Sequence, residues 1–144
     1  MNSDLKNKAL RMLARREHSR AELTRKLSDD GSQEEIQAVL DRLEQTGLLS
    51  DARFAESFVS SRAARVGNAR LRHDLRAKGV ADDLVAAALP AEADSEIGRA
   101  REVWRRKFDA PPGDRNEFAR QARFLQSRGF AADIIRKVLK ETAE

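Results

Sequence analysis

The sequence has 144 residues, of which 40% are hydrophobic and 36% are charged, and its formal net charge is +4. A chain of this length can bury the core of one domain but is too short for two domains of ordinary size. It contains no cysteine, which excludes disulfides and thiolate metal sites and favours a reducing compartment. No apolar run approaches the roughly 20 residues that span a bilayer. The N-terminus is too polar for a signal peptide, so we expect a cytoplasmic protein.

Helix-forming residues predominate, whereas tyrosine is absent and β-branched residues are scarce, so the composition predicts an all-α fold. Three segments align as a repeat, in each of which a leucine stands four residues before a glycine and a second amphipathic helix follows. The leucines recur at intervals of 48 and then 50 residues. In chain order the pairs are Leu27–Gly31, Leu75–Gly79 and Leu125–Gly129.

A further helix is predicted in front of each pair, at about 4–16, 51–66 and 93–108. The sequence therefore predicts nine helices, arranged as three three-helix repeats. Because one such unit buries little apolar surface, neighbouring units must stack, which predicts an elongated, curved array. The turn-rich segment LPAEADSE, at 89–96, is the expected flexible joint. The predicted repeats are residues 1–49, 50–90 and 91–144.

Local signals mark the ends of several helices. A Ser or Asp followed three residues later by Glu predicts a capping box, and Asn68 is predicted to be the N-cap of a further helix. The glycines of the three pairs, together with Gly47, predict C-terminal turns in the left-handed conformation. Val80 and Phe130 would make the apolar contact of a Schellman motif. The capping pairs are Ser19 with Glu22, Ser32 with Glu35 and Asp114 with Glu117.

Positive charge is concentrated in the middle of the chain. Residues 51–80 carry seven bases and three acids, whereas residues 81–100 carry one base and five acids. On the helix predicted at 51–66, Arg62 falls inside the apolar arc, where we expect it to pair with a carboxylate or with helix C-terminal carbonyls. Snorkelling or contact with a partner remain alternatives. The apolar arc consists of Phe54, Ala55, Phe58, Val59 and Val66.

Three stretches of the sequence resemble the RecX family of regulatory proteins. They are LARREHSRAELTRKL, GLLSDARFAESFVSSRAARVGNARLRHDLRAKGV and ARFLQSRGFAADIIRKVL. The resemblance covers about residues 7–140, although the helix AREVWRRKF and the PPGD loop depart from the pattern. It implies an all-helical protein of tandem three-helix repeats that is not an enzyme.

RecX-like proteins bind the RecA recombinase filament on single-stranded DNA in its helical groove. They restrain its ATPase, strand-exchange and coprotease activities, and some members also touch DNA. The resemblance therefore implies a negative modulator of RecA in homologous recombination, DNA repair and the SOS response of a bacterium. We expect a monomer that needs no cofactor, metal or membrane. Direct contact with DNA is left open.

Basic side chains that lie off the apolar stripe of Leu71 and Leu75 are expected to meet this partner. Few acids stand near enough in sequence to neutralise them, chiefly Asp74. The alternative is a helical protein that binds nucleic acid without sequence preference and acts without RecA. The expected partner-binding residues are Arg62, Arg65, Arg70, Arg72, Arg76, Lys78, Arg123 and Arg128.

Other functions are less consistent with the sequence. A helix-turn-helix protein reads bases with its second helix, but in ADDLVAAAL that helix has two acids and no base, and only the third repeat, with Arg136, Lys137 and Lys140, would suit. Acid pairs such as Asp82–Asp83 fall in first turns, where the helix dipole favours anions, and no catalytic or metal motif occurs. The aromatic residues assigned to the core are Trp104, Phe108, Phe118, Phe124 and Phe130.

Overall fold

The computed structural model describes residues 3–90 and 93–142, and over these ranges the chain forms nine α-helices and no strand. The all-α prediction is confirmed. Within the predicted joint at 89–96, Ala91 and Glu92 lie outside the described residues. The helices are α1 Ser3–Arg15, α2 Arg20–Lys26, α3 Gln33–Gln45, α4 Asp51–Arg62, α5 Asn68–Ala77, α6 Asp82–Ala88, α7 Ala93–Lys107, α8 Arg115–Ser127 and α9 Ala132–Thr142.

The N-terminal caps explain where several helices begin. Two full capping boxes form, with Ser19 at the start of α2 and Ser32 at the start of α3. Asp114 caps α8 by accepting a 2.8 Å hydrogen bond from the backbone N–H of Glu117. The prediction for Asn68 is wrong, because the helix already begins at that residue.

Three glycines end helices as predicted. Gly47, Gly79 and Gly129 have φ angles of 78°, 80° and 86°, in the left-handed region that a side chain disfavours. The Schellman bond forms in all three turns, from the N–H of Leu48 to the carbonyl of Leu43, from Val80 to Leu75 and from Phe130 to Leu125. Gly31 does not follow the pattern and has no positive φ. The chain after α2 already turns at Leu27, whose carbonyl accepts from Asp30 N–H at 2.9 Å.

Helix α4 is shorter than the sequence predicts. It ends at Arg62 rather than at residue 66, and Val66 N–H closes the following turn on the carbonyl of Arg62 at 3.2 Å. Phe54 and Phe58 are buried as expected, with ring centroids 5.7 Å apart. Arg62 is exposed, so its predicted place inside the apolar arc is wrong. The arc ends with the helix, and the guanidinium donates to Ser61 Oγ at 3.0 Å.

The chain divides into two compact units. The first comprises Met1–Phe58 with Leu75–Val85, and the second comprises Val59–Asp74 with Ala86–Glu144. The boundaries proposed for three repeats remain a prediction. In the first unit, α1, α2 and α3 enclose an aliphatic core. Its buried members are Leu5, Ala9, Leu23, Leu27, Ile36, Val39, Leu40, Leu43 and Leu49.

In the second unit, α7, α8 and α9 enclose a core that is richer in aromatic residues. Trp104 and Phe108 are buried as predicted, and Trp104 Nε1–H donates to Gln121 Oε1 at 2.8 Å. Phe130 is also buried, while Phe124 is half-buried. The remaining core members are Ala100, Val103, Leu125, Ile134, Ile135, Val138 and Leu139.

The prediction that Phe118 belongs to this core is wrong. Its side chain is 41% exposed. The residue has the same helical phase as Leu125, but it stands in the first turn of α8, where it lines an open groove with Ile135. Helical phase alone does not show where along a helix the covering neighbour stops.

Candidate partner-binding surface

In the first unit, Lys78 is engaged by a buried carboxylate. Glu22 is 4% exposed, and its carboxylate lies 3.0 Å from Arg16 Nη2 and 3.6 Å from Lys78 Nζ. Burial alone would raise the pKa of Glu22. Hydrogen bonds from Arg16 and from the backbone N–H of Ser19, with the charges of Arg16 and Lys78, instead lower that pKa to about 2. This arrangement makes Lys78 part of a structural ion pair.

Arg76 is the other predicted residue of the first unit. Its Nε lies 2.9 Å from Asp82 Oδ1, and both side chains are exposed. An exposed pair of this kind adds little to stability, but it does offset the positive charge locally. Asp82 stands in the first turn of α6, as predicted.

The second unit holds the other six predicted residues, and all of them are exposed. Arg70 pairs with Asp74 at 3.3 Å and donates to the carbonyl of Ser127 at 3.4 Å. Neither Arg72 nor Arg123 has an ion-pair partner within the part of the chain that the structure describes. The six residues are Arg62, Arg65, Arg70, Arg72, Arg123 and Arg128.

The structure brings two of these residues, Arg65 and Arg128, to one cleft, which we call the basic cleft. Its volume is about 260 Å³, and it opens between the turn after α4 and the C-terminal ends of α7 and α8. Four cations surround an apolar floor, and no carboxylate is among the described residues that line it. The lining residues are Arg65, Val103, Arg106, Lys107, Phe124 and Arg128.

Phe124 organises the cations of the basic cleft. Arg128 Cζ lies 5.1 Å and Lys107 Nζ 5.7 Å from the centroid of its ring. Phe108 supports the same ring from the core in an edge-on contact, with centroids 5.4 Å apart. The negative face of an aromatic ring attracts cations, so Phe124 holds both side chains near the cleft without neutralising them.

Close backbone packing fixes the turn that carries Arg128. The carbonyl of Arg128 accepts from Gly67 N–H at 2.7 Å. A Cβ atom on Gly67 would stand 2.4 Å from the carbonyl oxygen of Gly129, so only glycine fits there. The α8–α9 turn is thereby held against the start of α5.

Arg99 fixes the turn that carries Arg65. Its guanidinium donates to the carbonyls of Ala63 at 2.7 Å and Val66 at 2.8 Å, and to Asn68 Oδ1 at 3.0 Å. Burial lowers the pKa of Arg99, and the charge of Glu96 opposes this shift. Arg99 therefore pairs with carbonyls of the turn that follows α4, much as arginine side chains pair with carbonyls at helix C-termini.

Sequence reasoning missed three of the residues that form the cleft or position it: Arg99, Arg106 and Lys107. The last two belong to AREVWRRKF, where the signal was a run of bases in the last turn of a predicted helix, directly after the core residue Trp104. No local pattern marks Arg99, because its acceptors stand 31 to 36 residues away in the chain.

The described residues suit anion binding better than chemistry. They contain no group of three or more His, Cys, Asp or Glu side chains that could hold a metal ion. Among the helices of the described ranges, none has both the length and the apolar composition needed to cross a membrane. Unpaired guanidinium and ammonium groups around an apolar floor are typical of a recognition surface.

Comparison with known proteins identifies the family. The models of the first, second and third three-helix domains of RecX match residues 6–43, 50–89 and 94–139, in that order. The chain belongs to the RecX family. RecX proteins are regulatory proteins and not a family of enzymes, and the resemblance seen in the sequence is confirmed.

Relatives and solved structures agree with this result. The chain is 53% identical to a regulatory protein RecX of Leptothrix cholodnii over 94% of its own length and 87% of the relative's. It is 44% identical to one of Ralstonia nicotianae, with 94% and 86% covered. A crystal structure of RecX from Lactobacillus salivarius matches with a TM-score of 0.82 and 25% identity, covering 98% of this chain and 96% of that one.

Proposed function

We propose that this protein binds the RecA recombinase filament on single-stranded DNA and restrains its ATPase, strand-exchange and coprotease activities. The observation that supports the proposal is the match of three RecX domains, in order, along most of the chain. Regulation of RecA is the role of this family in DNA repair and the SOS response. The proposal implies action in the cytoplasm, as a monomer, on a filament already assembled on DNA.

The mechanism we infer is occupancy of the filament groove. An array of three-helix repeats that lies along the groove would bridge several RecA protomers. Such a bridge would obstruct the motions tied to nucleotide turnover and would keep duplex DNA or a repressor out of the groove. Exposed cations that have no acidic partner in the described part of the chain, such as Arg72 and Arg123, are available for acidic protein surface or DNA phosphate.

The ATPase of RecA on single-stranded DNA tests this function against simple competition for DNA. We expect inhibition well below one copy per RecA protomer, because one bound protein would hold several protomers. Inhibition should persist when single-stranded DNA is added in excess and at moderate salt. A competitor for DNA would instead lose log affinity by about 0.7 per phosphate contact per log unit of salt. Rescue of the ATPase by additional DNA alone would contradict groove occupancy.

Charge reversal tests the predicted contact residues directly. Replacing Arg70, Arg72 and Arg76 with Glu should strongly weaken binding to RecA filaments, because like charges at an interface repel. The three side chains are exposed, so circular dichroism should change little. A matched control reverses three exposed cations elsewhere, as Arg115→Glu, Lys137→Glu and Lys140→Glu. Equal binding by wild type and the first variant would exclude this surface as the contact.

A further inference from the structure

The basic cleft combines two features that point to one class of ligand. Four cations line it, and no described carboxylate lines it with them. Its floor is apolar, formed by the largely buried Val103 and the half-buried Phe124. An anion alone would not use the floor, and an apolar group alone would not use the cations.

The four cations of the cleft have no acidic partner among the described residues, which is also true of Arg72 and Arg123 outside it. What distinguishes the cleft is that its cations surround an apolar floor. Among the described residues, Arg65 donates to one acceptor, the carbonyl of Ser61, at 3.1 Å. Neighbouring Arg105, outside the cleft, pairs with Glu102 at 2.8 Å, so the nearest acid on α7 is already engaged. Arginine guanidinium groups bind carboxylates in a bidentate manner, and such charge-assisted bonds are stronger than neutral ones.

We propose that the basic cleft binds an acidic peptide segment of a partner protein, with one large apolar side chain on the floor and flanking carboxylates on the cations. The volume of about 260 Å³ suits one such side chain rather than a drug-sized ligand. Arginine and aromatic residues at the centre of a patch are also the usual anchors of protein interfaces.

Single-stranded nucleic acid fits the cleft less well. Proteins that bind it without sequence preference offer aromatic faces on which bases stack along a basic track. Among the described residues that line the cleft, Phe124 is the one aromatic side chain, so the cleft does not offer a series of stacking faces. Charge complementarity and the apolar floor together favour the acidic peptide.

This inference rests on the proposed function only for the identity of the partner, which would be the recombinase. The cleft itself can be tested on the full chain alone. The probe is an acetylated and amidated hexapeptide, Asp-Glu-Phe-Leu-Asp-Glu, titrated into the ¹⁵N-labelled protein. Control probes are Asn-Gln-Phe-Leu-Asn-Gln, which lacks the charges, and Asp-Glu-Ser-Ser-Asp-Glu, which lacks the apolar side chains. An oligothymidylate of about 12 nucleotides tests the nucleic-acid alternative.

We expect the first peptide to shift the amide resonances of Lys107, Phe124 and Arg128. It should bind at least about tenfold more tightly than either control peptide, which corresponds to the loss of one charge-assisted bond or of the apolar contact. Binding should weaken as salt is raised, because the cations are exposed. Equal binding of the three peptides, shifts elsewhere on the protein, or tighter binding of the oligothymidylate at these residues would overturn the proposal.

A pair of variants with equal change of charge separates the cleft from general attraction. Arg106→Gln, Lys107→Gln and Arg128→Gln together should reduce peptide affinity by at least about tenfold. The control, Arg115→Gln, Lys137→Gln and Lys140→Gln, should change it by less than about threefold. Equal reductions would overturn the assignment. If the peptide binds the cleft but RecA filaments do not bind the protein, the cleft stands and the proposed function fails, so the two outcomes are distinguishable.

Discussion

Two cations of the first unit, Arg20 and Lys78, and two cations of the basic cleft, in the second unit, have opposite surroundings. In the first unit, Arg20 lies 2.8 Å from Asp41 and 2.6 Å from Glu44, and Lys78 lies 3.6 Å from the buried Glu22. In the basic cleft, neither Arg106 nor Lys107 has an acidic partner among the described residues.

The difference shows why the number of bases in a segment is a poor guide to a binding surface. Residues 51–80 hold seven bases. Yet Arg76 and Lys78 are offset by Asp82 and Glu22, which the sequence places outside that segment. The charge of a paired cation is offset locally, whereas a cation without an acid remains available to a partner. Only tertiary structure distinguishes them.

The largest expected effect concerns Glu22. Because its folded-state pKa of about 2 lies below the ordinary value of 4.5, its stabilisation is complete above about pH 4.5 and is lost as the pH falls towards 2. We expect Glu22→Gln to lower the free energy of unfolding by about 3 kcal/mol at pH 7, since one pKa unit corresponds to about 1.4 kcal/mol. Urea unfolding of both proteins between pH 7 and pH 3 measures the effect.

The control for Glu22 is Glu35, which fills the same position in the other capping box but is exposed. Glu35→Gln should change stability by no more than about 0.5 kcal/mol, because glutamine also completes a capping box and an exposed charge is screened. A Glu22 variant that unfolds like wild type at pH 7, or that keeps a constant deficit down to pH 3, would contradict the ion-pair assignment.

The second prediction tests how firmly the cleft depends on its turn. Gly129→Ala should destabilise the protein by about 2–3 kcal/mol, because φ is +86° and the new Cβ would stand 2.0 Å from Arg70 Cβ. Gly98→Ala, inside α7, meets nothing within 4 Å and should stabilise by about 0.5–1 kcal/mol. Thermal unfolding of the two variants gives the contrast, and losses of similar size at both positions would refute it.

The helices and most of their ends could be predicted from the sequence because their signals are local. A Ser three residues before a Glu, or a Gly four residues after a Leu, acts through bonds within one turn. The predictions of a C-terminal turn at Gly31 and of an N-cap at Asn68 were wrong for the same reason. A suitable residue type favours a cap, but it does not determine which residue of the turn takes that position. Phe118 was wrong because exposure depends on where the neighbouring helices end.

The candidate site was much less predictable. Arg65 and Arg128 could be named from the charge pattern, but their meeting with Arg106 and Lys107 depends on how α7 and α8 pack. The role of Arg99 depends on carbonyls of the turn that follows α4. Contacts between residues so far apart in the chain leave no periodic pattern in the sequence. The match to the RecX domains identifies the family without showing which cations are free.

The smallest effect is expected when the same substitution, Arg to Gln, is made at a paired cation of the first unit and at a cation of the basic cleft. This pair of variants tests the comparison between the two regions most directly. Arg20 is 26% exposed and bridges Asp41 and Glu44, and it also donates to Gln37 Oε1 at 2.6 Å. Arg20→Gln should therefore lower the free energy of unfolding by about 1–2 kcal/mol, since hydrogen bonds to charged groups contribute more than neutral ones.

Arg106 is exposed and has no acidic partner among the described residues, so Arg106→Gln should change the free energy of unfolding by no more than about 0.5 kcal/mol. It could even increase it slightly, because the other three cations of the basic cleft repel Arg106. Urea unfolding at low and at high salt measures both variants. High salt should reduce the difference in the free energy of unfolding between Arg20→Gln and wild type, and it should leave the stability of Arg106→Gln near that of wild type. A loss of stability for Arg106→Gln as large as that for Arg20→Gln would mean that Arg106 serves the fold, as Arg20 does in the first unit.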